Sequence, residues 1–376
     1  MKIKQVDLTT QYFRIQKEMD EAILQCIRSG VYINGAEVGV FAQNLAGYTG
    51  VRYVIPCANG TDALQIALMA LDLQPGDEVI VPAFTYVASA EVIALLKLVP
   101  VLVDVDSETF NIDVEKFKKA ITNKTKAVIP VHLFGQTCDM QPILETCKQH
   151  GIVVIEDNAQ SIGSVYSFSD GQQLQAGTIG DIGTLSFFPS KNLGCYGDGG
   201  AMLTNNEMLA NKLKMIAAHG QSRKYYHDVI GCNSRLDTLQ AAILNVKLKY
   251  LDNFIEARQQ AAAYYNEQLQ ELSGCIVLPA VSRHSTHVYH QYTIQVKENK
   301  RDGLKQFLLE KNIPSMIYYP LPLHHQKAFK DIVRIGSDLN QSEQLSQSVL
   351  SLPMHTELNK EQQDYIIDSI KQFFNR

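Results

Sequence analysis

The sequence lacks three features that would assign it to particular protein classes. Positive charge is not in surplus, since the net charge is −5, so we expect no nucleic-acid partner. No apolar run follows the first charged residues, so we expect no signal peptide. The most apolar stretch, residues 88–103, is interrupted by Glu91, Lys97 and Pro100, which argues against a membrane span.

Paired cysteine motifs are absent as well. The seven cysteines are odd in number, and none belongs to a CxxC pair. Disulfide frameworks usually have an even number of cysteines, and zinc sites usually contain CxxC pairs. Because this chain has neither feature, we predict reduced thiols, a cytoplasmic location and no metal site. Three evenly spaced histidines, His284, His287 and His290, lie in a loop-like segment, which does not favour a metal site there.

Alternating strand and helix patterns fill residues 52–204. In RYVIPCANGTDALQIALMALDLQPGDEVIVP, residues 52–82, a strand, a turn, an apolar helix and a second strand follow one another. The β segments are Val/Ile runs, which is typical of parallel strands covered on both faces. We predict an α/β fold with a sheet of about seven mostly parallel strands, helices on both faces, and a smaller α+β C-terminal domain.

The length of 376 residues suits more than one domain. Past residue 205 the pattern is mostly helical, and residues 236–272 predict one long helix or two in tandem. Residues 291–296 and 315–318 are strand-like. We predict an N-terminal segment, 1–35, that packs with the small domain, a large domain at 36–250 and the small domain at 251–376.

The stretch DIGTLSFFPSKNLGCYGDGGAMLT, residues 181–204, predicts a strand, a glycine-rich turn and a returning strand. It places Lys191 at the end of a buried strand, where the amine would lose water. A desolvated lysine has a lowered pKa and is a nucleophile toward carbonyl groups. A solvated loop lysine remains the alternative on this stretch alone.

Other polar residues follow neighbouring strands, and ligands of open α/β sheets bind at the carboxyl ends of the strands. Gly60 and Thr61 begin a helix, where free N–H groups and a hydroxyl can hold a phosphate, although an ordinary N-cap fits too. Asp157 ends a strand, with Gln160 three residues on. Such an acid can pair with a protonated ring nitrogen, or simply cap the next turn.

Two further residues belong to this group. Ser186 lies five residues before Lys191 and can add a hydroxyl to a phosphate site. Tyr86 follows a strand and can stack on a flat ring, unless it is a core aromatic. One ligand accounts for all of these features: pyridoxal 5'-phosphate, which needs a Schiff-base lysine and an acid beside its ring nitrogen.

Four segments, in this order, carry a resemblance to a known family: ANGTDALQIAL, EDNAQSIG, SFFPSKNLGCYGDGGAM and GCNSRLDTLQAAIL. The chain resembles the DegT/DnrJ/EryC1/StrS sugar aminotransferases, whose fold is that of aspartate aminotransferase (fold type I). The match runs from the first helix to residue 355. The resemblance implies that residues 36–250 form the domain that binds pyridoxal phosphate.

The resemblance implies roles for individual residues. Lys191 would form the Schiff base, Asp157 would pair with the pyridinium nitrogen, and Gln160 would contact the phenolic oxygen. The remaining cofactor-binding residues would be Gly60, Thr61 and Ser186 at the phosphate, Tyr86 against the ring, and Asn233 from the second subunit of a homodimer. The implied active site is therefore shared between two subunits.

The resemblance also implies a reaction and a substrate class. It is nearest to enzymes that transfer an amino group from glutamate to the C3 ketone of UDP-2-acetamido-2-deoxy-3-oxo-glucuronate, for bacterial O-antigen. Arg235 would bind the sugar nucleotide. Where these enzymes commonly have His-Tyr-Pro, this chain has Tyr318-Tyr319-Pro320, and the implied sugar contacts are Tyr318, Tyr319 and His325.

Three alternatives are open. The substrate can be a dTDP-3-oxo-6-deoxyhexose. A related lyase activity, the dehydration of deoxysugars, is disfavoured because those relatives have histidine where Lys191 stands. A non-catalytic sensor with the same fold is disfavoured because it has no need of an electron sink, whereas this chain retains the cofactor-binding set Lys191, Asp157, Gln160 and Ser186.

Overall fold

A computed structural model of the chain describes residues 3–375; residues 1–2 and 376, the ends of two predicted domain ranges, lie outside the described part. The elements in the first part of the chain are α1 (Leu8–Arg14), α2 (Gln16–Ser29), α3 (Ala36–Thr49), β1 (Tyr53–Cys57), α4 (Gly60–Met69), β2 (Glu78–Pro82), α5 (Ala88–Leu95), β3 (Val99–Val103), α6 (Val114–Ala120), β4 (Thr125–Val128), α7 (Met140–His150) and β5 (Val153–Asp157).

The elements that follow are β6 (Val165–Ser167), β7 (Gln173–Gln175), β8 (Ile182–Ser186), β9 (Gly200–Thr204), α8 (Glu207–Ala217), β10 (Gln221–Arg223), β11 (Tyr226–His227), α9 (Thr238–Leu248), α10 (Leu251–Leu269), β12 (Ile276–Val277), β13 (Tyr292–Val296), α11 (Arg301–Glu310), β14 (Arg334–Ile335), α12 (Asn340–Ser348), β15 (Val349–Leu352) and α13 (Lys360–Phe374). Short 3₁₀ turns join several of them.

A single large sheet organises the chain. Its eight strands have the order β1-β9-β8-β5-β4-β2-β3-β14. All neighbouring pairs from β8 to β14 are parallel, and β9 pairs antiparallel with both β8 and β1. The mostly parallel α/β sheet predicted from the Val/Ile runs is confirmed.

Both faces of this sheet are covered, as its strand composition predicts. On β2, Val79 and Val81 pack in a core with α4, α5 and α8, whereas Ile80 packs in a core with α6 and α7. Successive side chains of a strand point to opposite faces, so an all-apolar strand needs helices on both sides. Buried parallel strands leave their carboxyl ends as the accessible edge for a ligand.

A smaller sheet follows in sequence. Strands β12, β13 and β15 form an antiparallel sheet, and its apolar residues share a core with α10, α11 and α13. The N-terminal segment reaches this region: Gln11 Nε2 donates to Thr356 Oγ1 at 3.2 Å, and Arg14 pairs with Glu357 at 2.6 Å. The division into three ranges stays a proposal.

Most of residues 236–272 form two helices, α9 and α10, separated at Lys249 and Tyr250, which is the tandem form of the two arrangements predicted. Two other local predictions differ from the structure. The strand-like residues 315–318 make only an isolated bridge between Met316 and Ser351. The eighth strand, β14, was not predicted, because two residues of edge strand carry no recognisable pattern in the sequence.

A helix that crosses a membrane must be long and apolar. No helix in the described residues 3–375 is both long enough and apolar enough to cross a bilayer.

Candidate active site

The predicted site residues converge on one cavity. It encloses about 520 Å³ at the carboxyl edge of the large sheet, beside the ends of β1, β2, β5 and β8. The predicted residues that line it are Gly60, Thr61, Tyr86, Asp157, Gln160, Ser186, Lys191, Tyr318 and Tyr319. They come from five separate chain segments, so their meeting is a product of the fold.

Lys191 lies in the turn between β8 and β9. The turn is closed by backbone hydrogen bonds from Lys191 N to Phe188 O and from Cys195 N to Phe187 O, both 2.8 Å. Gly194 is required here, because a Cβ at that position would lie 2.3 Å from Pro189 O. The sequence therefore forces a tight loop that holds the lysine against the sheet edge.

The environment of Lys191 favours the uncharged amine. Burial lowers its pKa to about 8, and the negative charge of Asp157 acts in the opposite direction. Desolvation prevails since the amine has no hydrogen bond or ion pair with any other described residue. A neutral amine is the nucleophilic form, so the structure supports a Schiff-base lysine.

Asp157 ends β5 and is buried, with 6% of its surface exposed. Its Oδ2 accepts a hydrogen bond from Ser89 Oγ at 2.7 Å, and its Oδ1 accepts one from Ala159 N at 3.2 Å. These two bonds fix the carboxylate at the cavity wall. An acid held in this way can hold a proton on a ring nitrogen.

Gln160 and two tyrosines form another part of the wall. Gln160 Oε1 accepts from Phe134 N at 2.7 Å, and its Nε2 lies 3.3 Å from the Tyr319 hydroxyl. Tyr86 is 56% exposed, and its ring centroid lies 6.2 Å from that of Tyr319. Tyr86 is therefore a cavity residue rather than a core aromatic, and its ring is free to cover a planar ligand.

The start of α4 has the form of an anion cradle. Asn59 Oδ1 caps the helix by accepting from Asp62 N at 2.8 Å, while the N–H groups of Gly60 and Thr61 have no acceptor within the described chain. A Cβ on Gly60 would lie 2.7 Å from Ser186 Cβ, so only glycine lets this helix start approach Ser186. Free N–H groups at a helix N-terminus favour a phosphate.

Three predicted residues do not line the cavity. Asn233 is exposed, Arg235 is half-buried, and His325 is exposed with its Nε2 3.5 Å from Glu343 Oε1. The neighbouring residue, Ser234, accepts from Ala58 N at 3.0 Å, which places the Asn233 segment beside the start of α4. Their roles, like those of the cavity residues, stay predictions.

Ser89 and His290 are among the residues of the site that sequence reasoning missed. Ser89, which positions Asp157, gave no signal because a serine in a helix has no distinctive neighbours. His290 was considered only as part of an evenly spaced triplet, yet it lines the cavity. Among residues 3–375, the one group of three side chains arranged like metal ligands is His324, His325 and Glu343, not that triplet.

A lysine with a lowered pKa, a buried carboxylate and an anion cradle around one cavity define an enzyme of the pyridoxal-phosphate class. The comparison with known proteins agrees. The chain belongs to the DegT/DnrJ/EryC1/StrS aminotransferase family, whose sequence model matches residues 14–371. It is accordingly a pyridoxal-phosphate-dependent aminotransferase of nucleotide-linked sugars.

Two curated relatives and one solved structure are similar over nearly the full length. A "pleiotropic regulatory protein" of Geobacillus stearothermophilus is 45% identical and covers 100% of this chain and 99% of its own. A UDP-2-acetamido-2-deoxy-3-oxo-D-glucuronate aminotransferase of Pseudomonas aeruginosa is 44% identical, with 95% and 96% covered. A crystal structure of a DegT/DnrJ/EryC1/StrS aminotransferase from Brucella abortus matches with a TM-score of 0.94 at 42% identity, covering 100% of both chains.

Proposed function

We propose that this enzyme transfers the amino group of glutamate to the C3 ketone of UDP-2-acetamido-2-deoxy-3-oxo-glucuronate, in the biosynthesis of a bacterial surface polysaccharide such as O-antigen. The observation that carries the reaction is the lowered pKa of Lys191 in the same cavity as Asp157. The choice of sugar is supported by the relative of that name at 44% identity.

In the proposed reaction Lys191 is the proton carrier. Its uncharged Nζ takes the proton from the α-carbon of the amino donor and gives it up again before the first half of the reaction ends. In the second half Nζ again takes up a proton and gives it to the sugar carbon. Asp157 holds the proton of the ring nitrogen. Pyridoxal phosphate, when bound, supplies an electron sink for the electron pair left on carbon.

We propose that the enzyme is a homodimer with shared sites. Both glutamate and a uronate sugar carry carboxylates, and no arginine lines the cavity within the described residues. An arginine is the residue that binds carboxylates in a bidentate way, so Arg235 of a second subunit is proposed to supply it, with Asn233 beside it. We also propose a cytoplasmic location, on the basis of the cysteine content.

The alternative sugar is a dTDP-3-oxo-6-deoxyhexose, which lacks the carboxylate. The test is the reverse reaction, with 2-oxoglutarate and a panel of UDP- and dTDP-linked 3-amino sugars that carry a carboxylate, hydroxymethyl or methyl group at C5. We expect glutamate formation to be fastest with the UDP-linked 3-amino uronate. Preference for a dTDP-linked 6-deoxy sugar would replace the proposed substrate by the alternative.

A regulator without turnover is a second candidate, favoured by the name of the relative at 45% identity. It is distinguished by the cofactor's visible absorbance. Glutamate should bleach the absorbance of the wild-type enzyme within seconds to minutes, and a nucleotide-linked keto sugar should restore it. A regulator would bind the cofactor without either change.

A further inference from the structure

His290 lines the cavity, but the proposed function does not use it. The residue is 6% exposed, and its Nδ1 is buried without a hydrogen-bond partner in the described chain. Buried polar atoms are rarely left unpaired, since each costs about 1–3 kcal/mol. An unpaired ring nitrogen in a cavity wall therefore indicates a partner that arrives during function.

The hydrogen bonding of the ring determines what His290 can offer. Gln291 Nε2 lies 3.4 Å from His290 Nε2, and an amide nitrogen can only donate. Burial and the positive charges of Lys191 and Arg258 hold the pKa of His290 well below its usual value, so the ring is neutral. In a neutral ring whose Nε2 accepts, the proton is on Nδ1, and His290 presents an N–H donor.

Hydrogen bonds to backbone carbonyl groups tie the segment that carries His290 to the loop that carries Lys191. Asn192, the residue after Lys191, is buried and donates from Nδ2 to Val288 O at 3.0 Å. Val288 N donates in turn to Gly135 O at 2.8 Å, and Arg258 Nη1 donates to His290 O at 3.4 Å. The lysine loop and the histidine segment are thus tied together one residue from Lys191 and two residues from His290.

The chemistry of the two groups makes them selective partners. An ammonium group has three donors and no acceptor, whereas an uncharged amine has a lone pair that accepts. A fixed N–H donor therefore bonds to Lys191 only when Lys191 is uncharged. A hydrogen bond made only to the neutral form favours that form.

We propose that His290 is a positioning residue for Lys191: its Nδ1–H donates to the lone pair of the freed Nζ and holds that amine, uncharged, in place until it takes up a proton. The inference rests on the proposed transamination. The flexible four-carbon stem of lysine allows Nζ to turn toward the ring once it is released.

Other charged or titratable groups face the same space and must be common to every variant compared. Asp157 faces Lys191 and raises its pKa. Arg258 faces His290 from α10. The remaining titratable residues of the cavity wall are Asp198, Tyr86, Tyr318 and Tyr319. Substitution of His290 leaves all of them in place.

The test compares His290→Asn with His290→Gln, because the amide nitrogen of asparagine can take the position of Nδ1 and that of glutamine the position of Nε2. His287→Gln is the matched control: His287 is equally buried in the same segment, but it does not line the cavity and its Nδ1 already accepts from Tyr289 N at 3.0 Å. Melting temperatures identify any variant that is misfolded.

Two readouts report on the Lys191 amine. In the cofactor-free full chain, the pH dependence of Lys191 labelling by an amine-reactive reagent, followed by mass spectrometry, should have its midpoint near the wild-type pKa of about 8. In the cofactor-loaded enzyme, the rate of the half-reaction with glutamate is measured as a function of pH, and the midpoint of its decline on the acid side is the second readout. For His290→Gln we expect both to move up by about one pH unit, which is roughly tenfold less neutral amine at pH 7.

His290→Asn and His287→Gln should keep the wild-type pH dependence. If asparagine and glutamine at position 290 behave alike, or if neither moves the labelling midpoint, the inference is wrong. Labelling needs no substrate, so its result does not depend on the proposed function. A wild-type enzyme that does not react with glutamate would refute the transamination, whereas the labelling midpoints would still show whether His290 acts on Lys191.

Discussion

At the scale of single residues, the site depends on which of two opposing effects prevails at Lys191. Burial disfavours the ammonium form and Asp157 favours it, and the pKa of about 8 shows that burial prevails. The amine therefore becomes mostly uncharged at mildly alkaline pH. Chain position alone could not show this, since the balance depends on groups from other strands.

Replacement of Lys191 by alanine or by arginine distinguishes the positive charge of the side chain from the reactivity of its amine. Lys191→Ala and Lys191→Arg should both abolish turnover, by at least about 10³-fold, because neither side chain can form the Schiff base or move the proton at neutral pH. The measurement is glutamate-dependent bleaching together with steady-state transamination. Appreciable activity in the arginine variant, which retains the charge, would exclude the proposed role of Lys191.

Gly60 tests the anion cradle. Gly60→Ala places a Cβ about 2.7 Å from Ser186 Cβ, so α4 must move away from Ser186 and the cradle must widen. We expect the dissociation constant for pyridoxal phosphate to rise roughly tenfold or more, with a smaller loss of thermal stability. Equilibrium dialysis with the free cofactor measures it.

The control for this substitution is Gly47→Ala in α3, where a Cβ would meet nothing within 4 Å. Alanine there should leave cofactor affinity unchanged and stabilise the helix slightly. Equal cofactor affinity in Gly60→Ala and wild type would mean that the phosphate lies elsewhere.

At the scale of elements, β5 holds the site together through Glu156, the residue before Asp157. Glu156 is fully buried. Its Oε1 accepts from Ile179 N and Gly180 N, and its Oε2 accepts from Gly177 N and His132 Nε2, at 2.6–2.8 Å. The three bonds from backbone N–H groups join β5 to the loop that leads into β8, the strand before Lys191.

Glu156→Gln should destabilise the protein even though its shape is conserved. Each carboxylate oxygen of Glu156 accepts from two donors. Whichever oxygen the amide NH₂ group of glutamine replaces, that group faces two donors, so two hydrogen bonds become repulsive contacts. We expect a loss of about 2–4 kcal/mol in the free energy of unfolding, measured by urea denaturation. The surface change Glu267→Gln on α10 is the control and should stay within about 0.5 kcal/mol; an equal effect of both would show that the Glu156 bonds contribute nothing.

At the scale of the whole molecule, the proposed second subunit would cover aromatic side chains that are exposed at the cavity. Tyr86 and Phe188 line the cavity yet are 56% and 53% exposed, and the β10–β11 hairpin carries Tyr225 at 79% exposure. Exposed apolar groups beside a cavity are typical of an interface. The absence of Asn233 from the cavity of its own chain agrees with the proposed exchange of residues.

Complementation tests the shared site. Lys191→Ala and Asn233→Ala subunits should each be nearly inactive. A mixed dimer has one site with both native side chains, so unfolding and refolding an equal mixture should restore about a quarter of wild-type activity. No recovery from the mixture, although size measurements show dimers, would mean that Asn233 serves the site of its own chain.

The sequence by itself determined the α/β class, the strand that precedes Lys191 and the polar residues that follow the strands. These depend on local patterns: apolar runs, glycine turns and short spacings. The tertiary structure alone decided that β14 completes the sheet, that Ser89 and Glu156 hold Asp157 in place, that Asn233 and Arg235 are absent from the cavity of their own chain, and that His290 faces it. Each of these depends on contacts between residues far apart in the chain. Burial, the pKa shifts that it causes and the hydrogen bonds of the site arise only once those contacts have formed.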